Sequence, residues 1–131
     1  MKHTYKEYSN MLELSLEEKI IRSEQLILNT LKTYKNPAVS CSWGKDSIVM
    51  LHLVRKFCKN TLVLFANTQV EYPETYEYRD KMLETWELNY HESLPIKSFW
   101  KCVEEYGYPQ SRNSKARTPK CCMYCKEKPL T

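Results

Sequence analysis

The sequence predicts an α/β fold, a layered helix/sheet/helix domain with a mostly parallel sheet. Three observations carry that reading. Apolar stripes at helical spacing alternate along the chain with short runs rich in Val, Leu and Phe. Capping and turn residues mark the junctions between them. The most polar linkers fall where strands give way to helices, the end at which parallel sheets take up ligands.

The elements follow in order. A charged N-terminus leads to Ser15-Leu16-Glu17-Glu18, which has the spacing of a capping box. Ile20, Ile21, Leu26, Ile27, Leu28 and Leu31 then form one helical stripe that runs to Asn36-Pro37. Ala38-Val39-Ser40-Cys41-Ser42 is short, small and apolar, as a buried strand requires. From Asp46 the pattern is helical through Ile48, Leu51 and Val54, ending near Cys58. Thr61 to Ala66 is the clearest strand in the chain. Pro73 suits the first turn of a helix extending to about Trp86. Leu88 to Glu92 completes a third strand, and Ile96 to Tyr106 a helix that Gly107 ends. The organisation expected is an N-terminal helical segment (1–36) packed on an α/β core (37–108), then a basic, Cys-rich segment (109–131) that reads as truncated.

Glycine is scarce: Gly44 and Gly107 are the only 2 in 131 residues. That excludes the dinucleotide fingerprint, which needs three, and the Walker A loop, which needs two at a fixed spacing before Lys. Any phosphate site has to be built on another plan. No apolar run approaches the ~18 residues of a membrane span, and no signal-peptide pattern opens the chain. A soluble, cytoplasmic protein without membrane contact is expected.

The charge is uneven. Residues 1–108 hold 14 Lys/Arg against 15 Asp/Glu, whereas 109–131 hold Arg112, Lys115, Arg117, Lys120, Lys126 and Lys128 against Glu127 alone. Such a tail suits an anion, either a phosphate or sulfate compound or a nucleic acid; a solvated basic tail is the other reading. The 6 cysteines are also clustered, with Cys121, Cys122 and Cys125 in five positions. Adjacent cysteines pair poorly as disulfides, so metal or redox chemistry is favoured for them. Cys41, Cys58 and Cys102 lie in apolar patterns and read as core.

Ser42-Trp43-Gly44-Lys45-Asp46-Ser47 joins the first strand to a helix. Small hydroxyl residues and one Gly allow close backbone approach, the helix start presents free N–H groups, and Lys45 adds a full positive charge. The segment reads equally as an anion cradle or as a simple N-cap by Asp46 or Ser47. His3, His52 and His91 form no ligand or triad pattern.

This loop resembles the Ser-Gly-Gly-x-Asp-Ser loop of the PP-loop ATP pyrophosphatase superfamily, matched by Ser42, Gly44, Asp46 and Ser47, with Trp43 in place of the first Gly. Two further stretches resemble PAPS/APS reductases, the sulfonucleotide reductases. Asn67-Thr68-Gln69-Val70-Glu71-Tyr72-Pro73-Glu74-Thr75-Tyr76 is similar to Asp-Thr-Gly-x-x-Phe-Pro-Glu-Thr-Tyr, with Asn for Asp and Gln for Gly. Cys121-Cys122-Met123-Tyr124-Cys125-Lys126-Glu127-Lys128-Pro129-Leu130 is similar to the Cys-Cys-x-x-Arg-Lys-x-x-Pro-Leu segment of cluster-containing members, with Cys125 at the Arg position.

The resemblance implies a fold like that of adenine nucleotide alpha hydrolases and an adenine nucleotide ligand (PAPS, APS or ATP). It implies phosphate or sulfate contacts from Ser42, Gly44, Lys45, Asp46 and Ser47. Asn67 and Thr68 would lie beside the nucleotide, and Arg112, Lys115 and Arg117 would clamp anionic oxygens. In cluster-containing members the Cys-Cys pair supplies two of four ligands to a 4Fe–4S cluster, and a downstream Cys-x-x-Cys supplies the rest. Here Cys121, Cys122 and Cys125 are expected to form an incomplete metal site, for a cluster or for zinc. The family's nucleophile is a cysteine near the C-terminus, resolved by thioredoxin; no residue of 1–131 matches it, so no catalytic residue is named. The leading expectation is the nucleotide-binding domain of a sulfonucleotide reductase. The alternatives are an ATP-dependent adenylating PP-loop enzyme of sulfur transfer and a non-catalytic nucleotide-binding protein.

Overall fold

Three short parallel strands organise the chain, whose computed structural model describes residues 4–109 and 120–131. Strands β1 (Ala38–Ser40), β2 (Leu62–Ala66) and β3 (Asn89–Ser93) lie side by side in sequence order, both pairs parallel. The crossovers are helices α3 (Lys45–Arg55) and α4 (Pro73–Trp86). Helices α1 (Tyr5–Leu12) and α2 (Leu16–Thr33) precede the sheet, and α5 (Phe99–Tyr106) follows it. The last stretch starts as α6 (Lys120–Cys122), widens into a π-helical turn (Met123–Glu127) and tightens into a 3₁₀ turn (Lys128–Leu130).

Local chemistry sets the boundaries. Ser15 accepts from the Glu18 amide at 3.2 Å while Glu18 Oε2 accepts from the Ser15 amide at 2.8 Å, the reciprocal box its spacing predicts. Thr4 and Glu7 repeat the device one helix earlier and start α1. Helix α5 starts at Phe99 rather than Ile96, because the Ser98 hydroxyl caps it by accepting from Lys101 N at 3.2 Å. The Cys-rich end, for which the sequence pattern suggests no helix, is held by contacts with the preceding segment. Ile96 N donates to Tyr124 O at 3.1 Å, and the Tyr124 and Tyr106 rings stack at 6.3 Å.

The core lies mainly on one face of the sheet. Val63 and Phe65 are buried and share that face with their β3 neighbours Tyr90 and Glu92, since side chains alternate along a strand. Leu51 and Val54 of α3, Met82 of α4, Val39 and Trp43 pack with them. Full burial of a Leu or Val side chain contributes about 1.5–3 kcal/mol, and Leu51 and Val63 are both 0% exposed. Leu62 on the opposite face is 36% exposed. Among the described residues no helix is long and apolar enough to cross a membrane.

The sheet delivers its carboxyl ends to one edge. The ladder continues one residue past β1 and β2, through Cys41 N to Leu64 O at 2.8 Å and Asn67 N to Ser93 O at 3.0 Å. The two polar loops, 42–47 and 67–72, therefore leave the sheet side by side.

Candidate functional site: two loops at the strand ends

The first loop turns directly into α3. Gly44 is the N-cap residue and has no side chain to cap with, so the first-turn amides receive no side-chain acceptor from it. Ser47 Oγ donates to Gly44 O at 2.9 Å and lies 3.3 Å from Ser42 Oγ; the Cys41 thiol donates to Ser47 Oγ at 3.6 Å. Ser42, Gly44, Lys45 and Asp46 are exposed, and Ser47 is half-buried. A Cβ at Gly44 would meet only Ser42 Oγ, at an ordinary 3.6 Å. The protein's own packing thus leaves room on that side of the backbone. Lys45 stands in the first turn of α3, the end where the helix dipole disfavours a cation by about 0.3–1 kcal/mol unless an anion is present.

Trp43 and Gln69 both have φ of 63°, the left-handed region where glycine is at ease. These are the two positions at which this chain replaces a glycine of the motifs that the loops resemble, and the backbone at both is one that glycine favours. The Trp43 ring does not project over the loop. It is 5% exposed and packs between Phe65 (6.2 Å between centroids) and Tyr90 (5.9 Å), with its indole Nε1 buried and without a partner. The left-handed turn carries the ring inward and leaves the backbone face of the loop unobstructed by it. Gln69→Gly should relieve strain without removing a buried side chain. The expected change in chemical unfolding is between neutral and about 1 kcal/mol stabilising, the left-handed penalty of about 1–2 kcal/mol being partly offset by the unfolded chain's added freedom.

In the second loop Asn67 is buried, and both ends of its side-chain amide bond the protein. Its Nδ2 donates to Glu92 Oε1 at 2.7 Å, while its Oδ1 accepts from Gln69 N at 2.9 Å and Tyr76 OH at 2.8 Å. Glu92 Oε2 in turn accepts from Tyr90 OH at 2.6 Å and Arg79 Nη1 at 3.1 Å. Burial pushes the Glu92 carboxyl up, but the Asn67 and Tyr90 hydrogen bonds and the Arg79 charge outweigh it and hold it below the usual range. Burial and the neighbouring Glu92 carboxylate push the Tyr90 phenol well above its ordinary value. Thr68, also buried, donates to Glu71 Oε1 at 2.7 Å. Tyr76, Arg79, Tyr90 and Glu92 were not singled out as site residues from the sequence. The signals there were the place of Tyr76 at the end of the 67–76 stretch and the alternation that puts Tyr90 and Glu92 on one strand face.

Cys121 and Cys122 are half-buried, Cys125 is buried, and all three are free thiols. They line a cleft of about 230 Å³ together with Thr68, Glu71 and Phe99. Cys125 turns inward, donating to Lys97 O at 3.5 Å, on the side of the buried Cys102 thiol. Among the described residues no three His, Cys, Asp or Glu side chains come together in a way that could hold a metal ion. Cys121, Cys122 and Cys125 are not drawn together as one ligand set here, the Cys125 thiol donating instead to the Lys97 carbonyl. Burial, then the neighbouring Cys121, push the Cys122 thiol up; burial, then Cys102, do the same for Cys125. Both should alkylate with iodoacetamide at pH 7 at least about tenfold more slowly in the native than in the denatured chain, read by peptide mass spectrometry. Arg112, Lys115 and Arg117 lie outside the described residues.

Comparison with known proteins bears on these loops. A family model described as the phosphoadenosine phosphosulfate reductase domain matches residues 36–131. The phosphoadenosine 5'-phosphosulfate reductase of Xylella fastidiosa (strain M23) is 38% identical over 63 residues, 48% of this chain and 27% of the relative. Adenosine 5'-phosphosulfate reductase 2 of Bacillus subtilis (strain 168) is 29% identical over 84 residues, 63% of this chain and 36% of the relative. The crystal structure of a phosphoadenylyl-sulfate (PAPS) reductase from Candida auris, a phosphate complex, shares the fold at a TM-score of 0.60 and 15% identity, covering 99% of this chain and 62% of that one. The chain thus spans 27% and 36% of the two curated relatives and 62% of the Candida auris chain. With the family model covering both loops and the cysteine segment, the chain belongs to the phosphoadenosine phosphosulfate reductase domain family.

Proposed function

We propose that the chain is the nucleotide-binding part of a sulfonucleotide reductase, with the 42–47 loop as the cradle for the phosphate or sulfate of PAPS or APS. The observation that carries this reading is the start of α3. A bare Gly44 cap leaves first-turn amides without a side-chain acceptor, and Lys45 sits at the unfavourable end of the dipole. A bound anion satisfies both. The Ser42 hydroxyl, 3.3 Å from that of Ser47, adds a donor beside the same amides, while Ser47 spends its own hydrogen on Gly44 O and shapes the loop. Asn67 and Thr68 shape the wall of the site, since their side chains already bond Glu92 and Glu71.

The reaction of such an enzyme reduces the sulfonucleotide to sulfite at the expense of two thiols, with a thioredoxin-like dithiol as the reductant. No thiol of this chain is assigned the attack, because none matches the position of the family's nucleophile; burial also pushes the Cys122 and Cys125 thiols up, away from the reactive thiolate. Among the described residues the cysteines are not gathered as a cluster or zinc site, and no step depends on one.

Titration calorimetry with PAPS, APS and ATP tests the reading. Binding of PAPS or APS is expected, and Lys45→Ala should weaken it about 10- to 100-fold, the loss of one charge-assisted contact of about 1.5–3 kcal/mol. Preference for ATP with release of pyrophosphate would overturn the reductase reading. No binding of any of the three would overturn the nucleotide reading as well.

A further inference from the structure

The two loops are joined by a continuous set of contacts that neither the phosphate cradle nor a cysteine chemistry requires. It begins in the first loop at Trp43, whose ring meets Tyr90 at 5.9 Å. The Tyr90 hydroxyl donates to Glu92 Oε2 at 2.6 Å, and the other oxygen of the same carboxylate accepts from Asn67 Nδ2 at 2.7 Å. Asn67 Oδ1 then holds the amide of Gln69 at 2.9 Å, at the residue where the second loop takes its left-handed turn. Helix α4 closes the group from outside, through Tyr76 OH to Asn67 Oδ1 at 2.8 Å and Arg79 Nη1 to Glu92 Oε2 at 3.1 Å. Arg79 also lies 5.0 Å from the Tyr76 ring centroid.

We propose that Trp43 and Glu92 are positioning residues, the two anchors of a brace that fixes the 42–47 loop relative to the 67–72 loop. Three features support this. Trp43 keeps an unfavourable left-handed backbone and a buried, unpartnered indole N–H, both costs that a residue of no consequence would shed. Both Glu92 oxygens are occupied by groups from three separate elements, so the carboxylate works as a junction rather than as a free acid. Asn67 spends its donor and acceptor on the brace, which makes the second loop's first turn depend on Glu92 and, through Tyr90, on Trp43. Mutually hydrogen-bonded polar groups at a partly buried junction define one geometry, whereas removing one member leaves the others unpaired.

The brace rests on the nucleotide reading only for what the loops hold, and its test needs no ligand. Amide hydrogen exchange is followed at Gln69 and along β2 in the full 131-residue chain and in two variants, Trp43→Gly and Glu92→Gln. Trp43→Gly removes a ring that makes no hydrogen bond to the second loop. It should nonetheless speed exchange at Gln69 about tenfold or more relative to the β2 amides. Glu92→Gln keeps the shape but cannot accept on both oxygens, and should do the same. In a Trp86→Phe, Trp100→Phe background it should also shift the emission of Trp43. Unchanged exchange at Gln69, or equal acceleration of Gln69 and β2 in both variants, would overturn the brace. Titration of the same samples with APS and ATP keeps the two ideas apart. Failure of the unsubstituted chain to bind either nucleotide counts against the cradle and leaves the exchange result intact.

Discussion

Asn67→Asp should destabilise the chain by about 2–4 kcal/mol at pH 7, measured by chemical unfolding. The related motif carries Asp at this position, yet here the side chain faces Glu92 Oε1 at 2.7 Å through a donating N–H. Aspartate deletes that donor and sets two carboxylates against each other in a partly buried place, with Arg79 the nearest counter-charge. The pH dependence follows from linkage. In the parent chain the Glu92 carboxyl lies below its unfolded value, so its contribution is present above that value and is lost as pH falls through the folded one. In the variant the carboxylate pair shares a proton and titrates as a unit above the unfolded values. Its contribution is fully present below the unfolded values and is lost as pH rises through the folded one. The two stabilities should therefore converge as pH is lowered from 7 towards 4, and a constant difference across that range would refute the account. Adding Glu92→Gln to Asn67→Asp restores one donor and one acceptor, and should recover about half of the loss.

The same contact explains what the amino-acid sequence discloses and what it hides. The strands and helices are legible because their causes are local: the Ser15–Glu18 box, the apolar run from Leu62 to Ala66, Pro73 in a first turn. The 42–47 loop is legible for the same reason, all of its members being contiguous. The Asn67–Glu92–Tyr90–Arg79 group is not, because it is drawn from the ends of β2 and β3 and the side of α4. Charged residues such as Arg79 and Glu92 at such positions read by default as solvated. The facing of the cysteines is hidden for a different reason. Cys122-x-x-Cys125 has the spacing of a metal-binding pair, but the chain passes through a π-helical turn there and Cys125 faces Cys102 of α5. Spacing along the chain reports which residues are neighbours, and only the docking of Tyr124 and Cys125 on the 96–106 segment decides which way they face.

Trp43 provides a second large effect, with an inverted order of variants as its signature. Truncating a buried Trp to Ala typically costs about 3–5 kcal/mol through lost contacts and the cavity left behind. Trp43→Ala should fall in that range, since the ring is 5% exposed against Phe65 and Tyr90 and the alanine would still carry the left-handed backbone at φ 63°. Trp43→Gly opens the same cavity but removes a strain of about 1–2 kcal/mol, against roughly 0.4–1 kcal/mol for the freer unfolded chain. Glycine should therefore be the less damaging of the two, by up to about 1.5 kcal/mol. At an ordinary backbone position the order is the reverse, because glycine loses more freedom on folding than alanine. Trp43→Phe should retain most of the packing, remove the unpartnered indole N–H and keep the strain, so it is expected to be the mildest of the three. Urea denaturation of the three variants side by side decides the matter. An alanine variant more stable than the glycine one would mean that the loop relaxes out of its left-handed turn once the ring is gone, and that the Trp43 ring, packed in the core, holds the backbone there.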